Sequence, residues 1–172
     1  MPSIEEILKQ AKPRERTVMV CTRGDLAGEA ERLAQELTQV NEDWEPSDLS
    51  EQHPARAIAA RLKEVRDQAR ESEVPFTLRY IGDKAYSDLL AAHPGKTEDQ
   101  LFDENTFPRA LVVASCVEPK LTAESAAALF EVLNQGEIQK LASAAWDVHT
   151  SADLAPFSLA ASALLAGLGG GS

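Results

Sequence analysis

Residues 107–149, FPRALVVASCVEPKLTAESAAALFEVLNQGEIQKLASAAWDVH, decide the fold, because they spell three short helices separated by two breaks. Pro108 stands in a first helical turn, where its missing N–H costs nothing, and Asn105 or Thr106 just before it can cap the orphan donors. The run from Ala110 to Cys116 is apolar almost all round, a pattern a helix tolerates only when other elements surround it, and Pro119 disfavours helical geometry at Glu118. Thr122 offers the next N-cap, and Ala126, Leu129, Phe130 and Leu133 recur at helical spacing until Asn134, Gln135 and Gly136 interrupt them. Ile138, Leu141, Ala142, Ala145, Trp146 and His149 repeat the pattern on one face, with His149 closing the helix where partial positive charge suits the dipole. Three such stripes can share one core, which makes the region a packing module.

Upstream, Ile4, Ile7 and Leu8 suggest a helical turn or two stopped near Pro13, and Thr17 to Cys21 read as a strand. Asp25 can cap a helix that carries Leu26, Ala30, Leu33, Leu37 and Val40 on one face. The segment 41–52 holds Trp44, Pro46 and Ser50 among acidic residues with no period, and reads as a mobile acidic loop. Ala55 to Arg70 resumes a helix with Ile58, Leu62, Val65 and Ala69 inward, its charges forming a solvated face. Phe76, Leu78 and Tyr80 alternate with polar residues as a strand closing at Gly82, and a helix from Asp83 to Ala92 ends at Pro94-Gly95. Two strands alone are marginal, so this ribbon must pack on helices or gain a third strand from a neighbouring subunit. The predicted fold class is mainly α with a minor β element (α+β). It comprises one helical domain over 1–152, with a two- or three-stranded ribbon and the 107–149 trio at its centre. A flexible Ala/Leu/Gly-rich tail over 153–172 follows.

The 172 residues suffice for one buried core, and 44% hydrophobic content is ordinary for a globular protein. A formal charge of −11 repels phosphate backbones and anionic lipid alike, which argues against nucleic-acid or membrane partners. No run approaches the ~18 apolar residues a membrane-spanning helix needs, so a soluble intracellular protein is expected. Cys21 and Cys116 lie in apolar runs with no secretory signal, and read as buried thiols.

Catalytic patterns fail on spacing. A phosphatase loop needs an arginine six residues after Cys21, where Ala27 stands, and a phosphate-binding loop ahead of Gly95-Lys96-Thr97 needs a glycine where Leu90 stands. His53, His93 and His149 are too scattered to put two nitrogens on one helix face toward a metal. The pairs Glu42-Asp43 and Glu98-Asp99 lie in loops without a pocket to raise a carboxyl pKa. The expectation is a protein with no enzymatic activity, no metal and no cofactor.

Phe107-Pro108, Ala110 to Val113, Ser115, the Val117-Glu118-Pro119-Lys120-Leu121-Thr122 joint, Gly136-Glu137 and Leu141 to Trp146 together resemble tail assembly chaperones of long-tailed double-stranded DNA phages. The likeness spans roughly Arg56 to Pro156 and is sparser upstream, at Phe76 to Tyr80, Leu89-Leu90 and His93-Pro94. It implies a factor of the infected host's cytoplasm that coats the tape measure protein, recruits tail tube protein and is absent from the mature virion. It also implies a frameshifted longer form, for which the codons of Gly169-Gly170-Gly171 are a candidate slippage site. Self-association stays open, as does whether the Gly-Gly-Gly-Ser end is native. A soluble acidic body with apolar grooves suits a long apolar helical partner, bound helix-in-groove. The candidate contact residues are Val112, Val113 and Val117, with Leu154, Phe157, Leu159 and Leu164 in the tail. A structural tail component of the terminator or connector type, or a nonviral acidic helix-binding adaptor, are the alternative readings.

Overall fold

In the computed structural model, β1 (Glu15–Cys21) and β2 (Glu73–Arg79) pair antiparallel, with Val18 opposite Phe76 and Val20 opposite Val74. The third strand comes from the same chain and not from a neighbour. Cys116–Glu118, which spans the expected end of the first helical run and the start of the joint after it, forms β3 and pairs antiparallel with β2, giving the order β1-β2-β3. Alternation explains the ribbon: Val20, Phe76 and Leu78 are buried, while Glu15, Thr17, Met19 and Arg79, of the opposite parity, stay outside. The structure describes residues 1–43, 45 and 52–152, so the 153–172 tail and most of the 41–52 loop lie outside the described residues.

Among the described residues seven helices accompany the sheet: α1 (Ile4–Gln10), α2 (Gly24–Asp43), α3 (Ala55–Glu71), α4 (Asp83–Ala92), α5 (Phe107–Ser115), α6 (Ala123–Val132) and α7 (Gln135–Thr150). The protein is thus mainly α with a minor β element. The main core gathers Val20, Phe76 and Leu78 from the sheet with Phe107 and Leu111 of α5, Phe130 of α6 and Leu141 of α7. Ser115 is fully buried, and its hydroxyl is satisfied by donating to the Leu111 carbonyl at 2.6 Å. Cys116 is buried and Cys21 half-buried; both are free thiols, and burial pushes the Cys116 thiol up from its ordinary range.

Helix α7 lies along β1 and blunts its open edge. The Cys21 N–H donates to Glu137 at 3.1 Å, Lys140 donates to the Met19 carbonyl at 3.0 Å, and Arg16 pairs with Asp147. Glu137 and Lys140 thereby occupy backbone groups that an unprotected edge would offer to another strand.

Caps account for the helix starts. Thr122 and Ser125 close a reciprocal box at the start of α6, and Asn134 Oδ1 accepts from the Glu137 N–H at 2.9 Å at the start of α7. Replacing Thr122 by Ala is expected to lower stability by about 1 kcal/mol, read as a shift of the urea midpoint. Helix α5 is started differently from the sequence reading. Neither Asn105 nor Thr106 caps it with a side chain; the Asp103 carbonyl accepts from Phe107 N–H at 2.9 Å, and Thr106 Oγ1 meets His93 Nδ1 at 2.9 Å instead. Helix α2 likewise continues to Asp43, taking in the first three residues of the expected loop, and begins at Gly24. Asp25 lies in its first turn, where the Arg23 guanidinium holds its carboxyl down to about 2.

Helices α2 and α3 bury Leu26, Leu33, Leu62 and Val65 against each other in a cluster distinct from the main core. They form a helical hairpin inserted between β1 and β2, whose base is the paired Cys21 and Glu73.

A candidate protein-binding groove

The loop between α4 and α5 folds tightly enough that a Cβ on Gly95 would lie 2.1 Å from the Gln100 carbonyl oxygen. Only glycine fits that approach, and the turn it permits delivers Phe102 onto the body of the protein. The Phe102 ring packs 4.6 Å from Phe107 and 5.6 Å from Trp146, centroid to centroid. Phe107 is fully buried and meets Tyr86 edge-on at 6.0 Å, and Tyr86 stacks on His149 at 5.2 Å. A continuous file of rings therefore runs from the surface at Trp146 to the C-terminal end of α7.

Beside Trp146 the surface opens into a cavity of about 250 Å³ lined by Phe102, Pro108, Leu111, Ala142, Ser143 and Trp146, with Gln139 and Asp147 at its edges. Its volume falls below the ~300 Å³ at which pockets for small organic ligands begin, and suits one or two inserted side chains. A more polar depression of about 470 Å³ shares Pro108, Gln139 and Ala142 with it and reaches Glu104, Arg109 and Gln135. The two together form a groove along α7 from Gln135 to Asp147, roughly 18 Å at 1.5 Å per residue. That is the length of three helical turns, with an apolar end at Trp146 and a polar end at Arg109. Trp146 is 38% exposed, and Leu101, next to Phe102 in sequence, is 77% exposed. Large aromatic surface left open at the edge of an apolar depression is the composition of binding-interface anchors.

Ionisable groups do not converge in the groove. Asp147 is engaged by Arg16, and Arg109 lies over the Phe130 ring at 5.3 Å. Among the described residues no cluster of three histidine, cysteine or acidic side chains is placed to hold a metal ion. What the lining offers is apolar area at the Trp146 end, and amide groups with the Glu104 carboxylate and Arg109 guanidinium at the other.

His149 is a brace and does not present positive charge to the helix end. The sequence reading placed it at the C-terminal dipole, but its Nδ1 lies 2.7 Å from the Ala145 carbonyl and its Nε2 accepts from the Ile81 N–H at 3.2 Å. An accepting Nε2 requires the neutral ring, with the proton on Nδ1 donated to Ala145. Burial lowers its pKa from the ordinary value, against an opposing effect of the bond to Ala145. The sign follows: as pH falls below about 6.5 the unfolded chain takes up the proton first. Stability contributed by His149 is then complete above that pH and is lost until the folded pKa is passed. Urea midpoints at pH 7.5 and 5.5 are expected to show this loss, and His149→Gln is expected to flatten it.

The contact residues expected from sequence are only partly brought to this surface. Val112 is fully buried: α5 is enclosed by its neighbours, so the residue belongs to the core and is not an outward contact. Val113 is half-buried and packs against the same core, while Val117, on β3, is 36% exposed. Leu154, Phe157, Leu159 and Leu164 lie outside the described residues. Of the residues that build the groove, Pro108 reads from sequence as a helix start, Leu111, Ala142 and Trp146 as inward helix positions, and Phe102 as part of the acidic loop before α5. A tryptophan at the flank of an otherwise alanine-rich helical stripe is the one signal that pointed to them. No helix among the described residues is long and apolar enough to cross a membrane. Comparison with family models, with curated proteins and with solved structures finds no match to this chain.

Proposed function

We propose that the protein is a tail assembly chaperone of a long-tailed phage, and that its groove along α7 holds apolar helical segments of the tape measure protein. The observation that carries the reading is the open apolar depression beside half-exposed Trp146, formed where no ionisable groups converge. The resemblance over Arg56 to Pro156 supplies the identity of the partner. In this role the protein acts in the host cytoplasm, keeps a long apolar ruler from aggregating, aids recruitment of tail tube subunits and leaves before the virion matures. A net charge of −11 keeps such a coated complex dispersed.

The test is co-expression with the long helical protein encoded downstream in the same gene cluster. Most of that protein is expected in the soluble fraction with this chain present and in the pellet without it. Insolubility in both cases, or recovery of this chain from purified virions, counts against the proposal.

A further inference from the structure

The α2–α3 hairpin carries opposite charge on its two sides, and we infer that it is a self-association surface on which the basic side of one copy packs against the acidic side of the next. Leu26, Ala30, Leu33, Leu37 and Val40 on α2, and Ile58, Leu62, Val65 and Ala69 on α3, recur at alternating spacings of four and three, the heptad seam of paired helices. The positions that flank this seam then fall on two sides. The cross-helix pair Arg61–Glu29, at 2.9 Å, marks one of them.

That side is acidic. By heptad position it displays Glu36, Asp43, Glu64 and Glu71 beside the Arg61–Glu29 pair; Arg32 is bound to Glu36 and Arg61 also to Glu64, both at 3.0 Å, which leaves carboxylates in excess. The other side is basic. Arg56, Lys63, Arg66 and Arg70 lie within one arc of α3, all exposed, and none makes an ion pair among the described residues. On the same side α2 offers Ala27, Ala34 and a single carboxylate, Glu31. Four unmatched cations on one side are notable in a chain of charge −11.

Charge selects the arrangement as well as the occupant. A two-fold contact between basic sides would set a net positive surface against itself, and one between acidic sides a net negative surface against itself; both are repulsive. Basic side against acidic side matches signs, leaves a free side at each end, and so continues from copy to copy. The small residues Ala27, Ala34 and Ala59 allow close approach at that contact, and the half-buried Leu37 and Ile58 gain cover from it.

Sedimentation of the full chain at low salt and in about 1 M salt, where the screening length is about 3 Å, tests this. The expected result is a mass that grows with concentration past the dimer at low salt and returns to the monomer at high salt. Lys63→Glu/Arg66→Glu reverses the basic side, and Glu36→Lys/Asp43→Lys the acidic side; both pairs are exposed or half-exposed, and circular dichroism checks their folding. Each variant alone is expected to remain monomeric, and an equal mixture to associate again, because intact acidic and intact basic sides meet in it. A wild-type chain that stays monomeric at millimolar concentration overturns the inference. So does association that either variant alone retains, or a mixture that fails to associate.

Discussion

Trp146→Asp is expected to abolish retention of the tape measure protein while leaving the fold intact. An anchoring tryptophan at the centre of an interface contributes about 2 kcal/mol or more, which raises Kd by roughly 30-fold. A carboxylate in its place adds the cost of burying an unpaired charge against apolar surface. Trp146 is 38% exposed and stands at the edge of the core, so its replacement leaves Phe107, Leu111 and Leu141 packed as before. The measurement is pull-down and titration with a tape measure fragment, in a Trp44→Phe background so that emission reports Trp146 alone. Wild-type emission is expected to shift to the blue as the groove fills. Unchanged affinity in Trp146→Asp would remove the groove from the function.

The second large effect is expected at Phe107. The ring is fully buried, contacts Phe102, Tyr86 and His93, and anchors the first turn of α5. Phe107→Ala is expected to cost about 3–5 kcal/mol, a fall in Tm of roughly 10 °C in a chain of this size. It also removes the support that seats Phe102, so partner binding should weaken beyond what lost stability accounts for. Phe107→Leu, which keeps most of the volume, separates these effects: stability largely recovers, and binding recovers only in so far as Phe102 stays in place. Thermal melts with a binding titration on the same samples check both.

The helical trio was legible because its signals are local. Pro108, Thr122 and Asn134 mark starts by their chemistry, and the apolar residues between them keep a helical period. What local signals could not give was the surroundings of each face. The period of α7 places Trp146 in the same stripe as Ala142 and Ala145, but the stripe is wider than the core can cover, and the largest side chain at its flank is left open. Val112 was misread for the converse reason: an all-apolar helix does not tell which side is enclosed until α4, α6, α7 and β2 are in place. The three residues of β3 show no alternation long enough to read, and pair only because β2 presents a free edge beside the Glu118-Pro119 turn. The inward residues of α2 and α3 match the sequence reading except that Val40 is not in their cluster and Ala34 is, but periodicity does not say that the two faces meet one another and not the main core. Phe102 could not be placed from sequence because its position depends on the contact between Gly95 and Gln100 across the loop.

Hydrogen exchange on the complex with the tape measure protein, compared with the free chain, tests the groove most directly. Slowed exchange is expected in 102–111 and 135–147, the two segments that line it, with α6 and the base of the sheet unchanged. A stable complex in which those segments exchange as fast as in the free protein would contradict the assignment of the groove as the binding site.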